Sequence, residues 1–354
     1  MGRSAFRAPA EERQSQPLAV DLFAGAGGAT LGMERAGLRV VAAVEIDRDA
    51  CATYRANHPE VHLMEGDICT VDPAPLAEEA AFGRGQLALL KACAPCQGFS
   101  TLGHSALDDE RNDLVLETWR FISAWRPASF VFENVPGIRH DDRLRRVLRQ
   151  ARAIGYGVRT YLVDAVEFGV PQRRRRHVVV GVRSKAQSEL PGSLPRKPTS
   201  VTDYTTVGHA FQRLVSSQDD QLNRHRKSRA TTLQRIRAVP VGGSRFDLPD
   251  ELVLSCHKAL TRTAAFGPYS RMCADQPAPT LTTRCTTPAC GQFVHPTADR
   301  GITLREAAVL QSFPSDYNFV GGYDSVERQI GNAVPAPMAE GICAATLELV
   351  EATG

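Results

Sequence analysis

The chain has 354 residues, 43% hydrophobic and 23% charged, with 28 Gly and 22 Pro, a length that accommodates one large domain and a smaller one. No run approaches the roughly 18 consecutive apolar residues of a spanning helix, and the ordinary charged fraction excludes a collagen or a disordered tail protein. The net charge is only +3, but Val166 to Ser270 holds 18 basic against 8 acidic residues, +10 there and −7 elsewhere, which suggests a local polyanion contact or a merely solvated basic surface.

Residues 1 to 17 are charged and lack the apolar core of a signal peptide, so a flexible polar N-terminus is expected. From Leu18 short apolar runs alternate with helical stretches, the pattern of a mostly parallel sheet wrapped by helices in an α/β fold. Strands are expected at 18–23, 40–45, 61–64, 87–92, 129–134, 159–163 and 177–182. Helices are expected at 29–36, 48–56, 114–125 and 143–153. After Val182 the texture changes. Pro191, Pro195 and Pro198 break any long element, and polar, basic sequence runs to about Tyr269. Helical signals return near Thr303, and 334–350 reads as a terminal helix. The expected organisation is a catalytic and cofactor-binding domain at 18–185, a smaller domain at 186–284, and a return to the first domain at 285–354. The nine cysteines form an odd, scattered set, which argues for reduced thiols in a cytosol rather than a disulfide scaffold.

The first strand runs into Asp21-Leu22-Phe23-Ala24-Gly25-Ala26-Gly27-Gly28 and then a helix, so glycines let a ligand approach the backbone. A dinucleotide fingerprint wants a third Gly at the position of Thr30. Glu45 ends the second strand, where a carboxylate can accept both ribose hydroxyls, and Asp67 follows the third, where it can take an adenine amino proton. These residues describe a nucleoside pocket without choosing NAD over S-adenosylmethionine.

Ala94-Pro95-Cys96-Gln97-Gly98-Phe99-Ser100 directly follows the strand at 87–92, so its thiol opens onto the same edge as the glycine loop. Cys93 and Cys96 form a C-x-x-C, which alone suggests a redox pair or half a zinc site. Pro95 and the glycine after it favour a mobile loop over a redox helix, and the remaining Cys and His spacings match no common zinc site. Phe132-Glu133-Asn134-Val135 ends the next strand. Neighbouring parallel strands lie about 5 Å apart, so Glu133 and Cys96 can face one ligand.

At this point the chain resembles a prokaryotic-type DNA (cytosine-5) methyltransferase over nearly its whole length. Asp21 to Gly28 resembles that family's cofactor loop, Glu45 and Asp67 its ribose and adenine acids, Pro95-Cys96-Gln97 its nucleophile motif, and Glu133-Asn134-Val135 its acid motif. Gln172-Arg173-Arg174-Arg175-Arg176 resembles the arginine motif before a variable region. Arg271 with Pro277, Pro279, Thr280 and Leu281 resembles the motif after it, and Gln329-Ile330-Gly331-Asn332-Ala333-Val334-Pro335 the last one. The resemblance implies an S-adenosylmethionine-dependent, Rossmann-like sheet with a target-recognition domain. It implies a cofactor site at Phe23, Ala24, Gly25, Ala26, Gly27, Gly28, Glu45, Ile46, Asp67, Ile68, Pro95, Leu114, Asn332 and Ala333. Catalysis falls to Cys96, Glu133, Arg174 and Arg176, with Arg176 on the cytosine O2. DNA contacts are expected from Gln97, Ser100, Arg224, Arg226, Lys227 and Arg229. Val241-Gly242-Gly243-Ser244-Arg245 reads either as a loop tip that enters a groove, with Arg245 on DNA, or as an ordinary surface turn.

Cytosine C5 is too poor a nucleophile to attack a methyl sulfonium while the ring is aromatic. A thiolate adding at C6 makes C5 enamine-like, and Glu133 can drain charge through N3 if its surroundings favour the protonated form. The base must leave the duplex to be reached, and Ser100 to Asp113 reads as the loop that closes over it. The implied partner is double-stranded DNA, with a monomer acting in the cytoplasm, nucleoid-associated, beside a separate cognate restriction endonuclease. Three other functions compete. An RNA cytosine-5 methyltransferase shares the catalyst, but the long variable region favours DNA. A dinucleotide oxidoreductase leaves the Cys96 and Glu133 motifs unexplained, and a DNA-binding module without catalysis has no need of them.

Overall fold

A computed structural model describes residues 14–95, 113–183, 190–194, 206–214, 220–255 and 267–353. The strands β1 (Leu18–Leu22), β2 (Arg39–Glu45), β3 (His62–Glu65), β4 (Leu87–Ala92), β5 (Ser129–Asn134), β6 (Tyr156–Asp164) and β7 (Arg175–Arg183) form one sheet in the order β3-β2-β1-β4-β5-β7-β6. The pairs from β3 to β5 are parallel, and β7 runs antiparallel to both its neighbours. The sheet is mostly parallel, as expected.

Successive strand residues point to opposite faces, and both faces are covered, so the central strands are mostly apolar, with the Asp21–Lys91 ion pair buried between β1 and β4. Val20 and Leu90 look into one core with Phe121, Ile122 and Trp125 of α4 (Leu114–Trp125) and Leu144 and Val147 of α5 (Asp142–Ala153). Ala19, Leu89, Val131 and Val180 look into the other, where Met338 and Ile342 of the terminal helix α10 (Ala336–Thr353) cover them. The stretch Tyr323–Thr353 is apolar and long enough by composition to cross a membrane, but 78% of its apolar window is buried inside the protein. Pro335 separates α9 (Tyr323–Asn332) from α10, and the pair are core helices.

Helix α1 (Gly28–Arg35) follows β1, α2 (Arg48–Asn57) follows β2 and α3 (Pro73–Glu79) follows β3. Asp47 caps α2 by accepting from the amides of Asp49 and Ala50, which stops β2 and starts the helix in one turn. Helix α10 packs directly on α1 because Gly32 has no side chain. A Cβ there would lie 2.4 Å from the Ala336 carbonyl oxygen and 2.6 Å from Ala339 Cβ.

Beyond β7 lie α6 (Val207–Gln212), α7 (Ala230–Ala238) and α8 (Leu304–Leu310). Ile236, Val239, Leu248, Tyr269 and Val294 make a small core of their own, gathered around the buried Arg271. Its guanidinium donates to the carbonyls of Ile236 at 2.7 Å and Val239 at 3.0 Å. Met272, Ala278, Leu281 and Cys285 instead share a core with α8 and α9, so the chain after Arg271 already packs with the C-terminal return. Gln172 fastens that return to the start of β7: its side chain accepts from the Leu281 amide at 3.0 Å and donates to Gln311 at 2.9 Å.

Candidate active site

β1 has β2 on one side and β4 on the other. The chain order runs outward in both directions from that boundary, so the connections diverge and leave a crevice at the carboxyl ends of β1 and β4. Both sequence-singled loops open there: residues 23–28 after β1 and 93–95 after β4.

The first loop is shaped from beneath. Gly25 and Gly27 take φ of 56° and 90°, a left-handed backbone that suits glycine. A Cβ on Gly27 would lie 2.6 Å from His58 Nε2 and 2.8 Å from the Tyr317 hydroxyl, whereas one on Gly25 would meet nothing within 4 Å. The space beside Gly25 is therefore open, while Gly27 is pressed against the protein. Tyr317 also donates to the Ala26 carbonyl. Below β1, the fully buried Asp21 is ion-paired to Lys91 at 2.9 Å and accepts from Thr30 Oγ1 at 2.8 Å. Thr30 thus holds the loop's root where a dinucleotide fingerprint would have glycine. Burial alone would lower the pKa of Lys91, but Asp21, Cys93 and Glu133 together outweigh it and the net shift is upward.

Glu45 closes the loop from β2. Its Oε2 accepts from Gly25 N at 2.7 Å, and its Oε1 from the amides of Ile46 and Asp47 at 2.9 and 2.8 Å. Burial raises its pKa against these bonds. Ile46 is 65% exposed beside it, a large apolar face on the crevice rim, while Ile68 is buried. Because Glu45 pairs with Glu65 across β2 and β3, Asp67 emerges next to it, exposed, with Oδ1 held by the Cys69 amide at 3.0 Å. Phe23 is half-buried at φ 57°. Asn332 is exposed at the end of α9, and the buried Ala333 approaches the start of α1, 3.4 Å from where a Gly28 Cβ would stand. Pro95 is exposed, and Leu114 is half-buried at the first turn of α4. An anionic hydrogen-bond acceptor, a bare apolar rim and a glycine facing open space fit a nucleoside whose ribose meets Glu45.

Across the boundary, β4 and β5 pair in parallel with Ala92 opposite Phe132, so Cys93, the first residue past β4, comes beside Glu133 near the end of β5. Glu133 is 3% exposed. It forms an ion pair with Arg176 at 2.9 Å and accepts from Cys93 Sγ at 2.8 Å. Asn134 Nδ2 donates to the Ala94 carbonyl at 3.0 Å. Cys96, Gln97 and Ser100, and the expected closing loop up to residue 112, lie outside the described residues.

Three arginines differ from expectation. Arg174 is buried and turned to the C-terminal return rather than to Glu133, donating to the Leu281 carbonyl at 3.1 Å and the Gly331 carbonyl at 3.4 Å. Alternation along β7 sends Arg176 to Glu133, but Arg174 precedes the strand and its direction is set by the turn. Arg226 bonds Asp324 and the fully buried Glu327 and stacks on Tyr323, so it is not a free phosphate contact. Arg245 is 3% exposed inside the turn Arg245–Asp247, over the Phe246 ring, and cannot enter a groove from there. Arg224, Lys227 and Arg229 are exposed. Sequence reasoning missed the supports His58, Tyr317 and Lys91, whose partners lie far away in the chain.

A seven-stranded sheet of this order, with one antiparallel strand and a glycine loop at its divergence, defines an α/β methyltransferase. The structure matches a protein from E. coli described as a DNA modification methyltransferase encoded within a prophage, with TM-score 0.69 and 25% identity over 95% of this chain and 99% of that one. It also matches the S. pombe Dnmt2 methyltransferase in fold, with TM-score 0.60 and 16% identity over 94% of this chain and 99% of that one. The family model for C-5 cytosine-specific DNA methylase matches residues 19–348. The Type II methyltransferase M1.HphI of Haemophilus parahaemolyticus is 33% identical over 93% of this chain and 86% of its own length. M.PspPI of Psychrobacter is 34% identical over 94% and 79%. The chain belongs to the C-5 cytosine-specific DNA methylase family, and it is a DNA cytosine methyltransferase of the Type II restriction-modification kind. That assignment overturns the oxidoreductase reading and does not favour the RNA one.

Proposed function

We propose that this enzyme methylates C5 of a flipped-out cytosine within a specific duplex sequence, with S-adenosylmethionine in the crevice between β1 and β4 and Cys96 as nucleophile. The observation that carries the reading is Glu133, buried at the end of β5, ion-paired to Arg176 and hydrogen-bonded to the residue three before Cys96.

Gly25 to Gly28, with Phe23, Ala24, Asn332 and Ala333, would frame the cofactor. Glu45 would accept the ribose hydroxyls, Asp67 the adenine amine, and Ile46 and Ile68 would pack on the purine, with Pro95 and Leu114 on the far side. When bound, the cofactor supplies an electrophilic methyl sulfonium. The Cys96 thiolate forms a bond to cytosine C6, and the displaced ring electrons reach C5 and N3. Glu133 gives N3 a proton or a hydrogen bond, so the charge does not build on the ring. Arg176 holds the Glu133 carboxyl and would meet O2. C5 then takes the methyl group, loses its proton to water, and the C6–S bond breaks to restore aromaticity. Arg174 positions this machinery through the C-terminal return.

The unit at 186–284 would read the target, with Arg224, Lys227 and Arg229 on phosphates and Gln97 and Ser100 beside the flipped base. The enzyme acts as a monomer in the cytoplasm, on the nucleoid, with any cognate endonuclease a separate protein. Bisulfite sequencing of duplex DNA treated with the pure protein and cofactor tests the reading. Protected cytosines within one recurring sequence are expected, and their absence overturns it.

A further inference from the structure

We propose that Cys93 is a positioning residue for Glu133, an inference that rests on the reading of Glu133 as the acid. The parallel register that pairs Ala92 with Phe132 sets Cys93, the first residue past β4, beside Glu133 near the end of β5. Cys93 Sγ donates to Glu133 Oε2 at 2.8 Å, and Arg176 Nε lies 2.9 Å from Oε1. Each carboxyl oxygen therefore has its own neighbour.

The terminal torsion of a glutamate is broad and two-fold. An ion pair on one oxygen leaves the other free to swing, whereas a second contact on Oε2 fixes the carboxyl plane. A carboxyl oxygen has about two lone-pair sites, so the thiol occupies one at Oε2 and leaves the other to carry the proton that Glu133 would donate to a ring nitrogen. The thiol itself starts from a held backbone: Cys93 N donates to the Leu22 carbonyl at 3.4 Å, and Asn134 Nδ2 donates to the Ala94 carbonyl at 3.0 Å. Cys93 also packs on Ala29, Val334 and Ala339. If packing were its whole role, an apolar residue of similar size would serve as well. If the S–H is what matters, only another donor will.

That difference makes the test. Single-turnover methyl transfer to duplex DNA is measured for the full chain and for Cys93→Ser, Cys93→Ala and Cys93→Val, with thermal melts to verify folding. Serine should keep the rate within about threefold. Alanine and valine should each slow it about tenfold, the loss of one hydrogen bond to a charged group, with KM for the cofactor within about twofold of the parent. On a Glu133→Gln background the further effect of Cys93→Ala should fall below about twofold, because the coupled partner is gone. Valine at the parental rate, serine as slow as alanine, or full additivity with Glu133→Gln would each overturn the inference. A parent that methylates while Glu133→Gln remains as fast would instead overturn the reading of Glu133 on which it rests.

Discussion

The Arg226 guanidinium donates to Glu327 Oε2 at 2.7 Å, so a cation of the basic block holds a fully buried carboxylate of α9. Glu327 Oε1 meanwhile accepts from the Thr286 amide at 2.8 Å and from the Thr286 hydroxyl. The pair ties residues 224–229 to the helix that carries Asn332.

Removing Arg226 strands a buried charge, whereas its neighbours Arg224, Lys227 and Arg229 are exposed. Arg226→Ala should cost about 2 to 3 kcal/mol of stability, read by denaturant titration. Arg224→Ala, Lys227→Ala and Arg229→Ala should leave stability unchanged, weaken binding to all duplexes alike, and each reduce the salt slope by about one unit. A stability loss at Arg224 equal to that at Arg226 contradicts this division.

Cys96→Ser should abolish methyl transfer while cofactor affinity stays within about threefold, since a neutral hydroxyl is a far weaker nucleophile than a thiolate. Duplex DNA with 5-fluorocytosine at the target should form a denaturation-resistant adduct with the parent enzyme, because fluorine does not leave as a proton does. Methylation retained by the serine variant would remove Cys96 from the nucleophile's role.

Glu45→Ala should weaken cofactor binding by about 1 to 3 kcal/mol, measured by calorimetry, whereas Glu133→Gln should act on the rate. Burial holds the Glu45 carboxyl above its ordinary range, which sets two signs. A hydroxyl donor favours the carboxylate, so cofactor affinity should be full above that raised value and fall as pH drops through it. For the free protein, the raised value means stability is greatest below the unfolded pKa and declines as pH rises through the folded one. Glu45→Gln should remove both dependences, and an unchanged affinity profile in that variant would exclude the ribose role.

Gly331 lies so close to the preceding loop that a Cβ would sit 2.0 Å from the Thr282 carbonyl oxygen. Gly331→Ala must push that backbone away, and Arg174 bonds the carbonyls on both sides of the contact, Leu281 and Gly331. A loss of about 1 to 3 kcal/mol is expected from overpacking, with weaker cofactor binding because Ala333 moves too. A melting temperature within a degree of the parent's would refute the contact.

The sequence by itself determined the seven strands and a mostly parallel sheet, whereas their lateral order and the reversal of β7 came from the tertiary structure. Buried parallel strands are written as short continuous apolar runs, and the residue at each carboxyl end is the next one in the chain. Glu45, Asp67 and Glu133 could thus be placed at the carboxyl edge of the sheet with no structure, as could the glycine loop. The short helices α3 and α6, of 7 and 6 residues, escaped notice because two turns give too little periodicity to stand out. Only the tertiary structure decided which charges are free. Arg224 and Arg226 look alike as letters, but Arg226 meets Glu327, 101 positions away, and Arg174 meets Gly331, 157 positions away. Cys93 likewise reaches Glu133 across 40 residues. Sequence patterns report a residue's own element and face, through periods of two or 3.6. The partner of a long polar side chain is set by which distant segment folds back onto that face, and no local period carries that information.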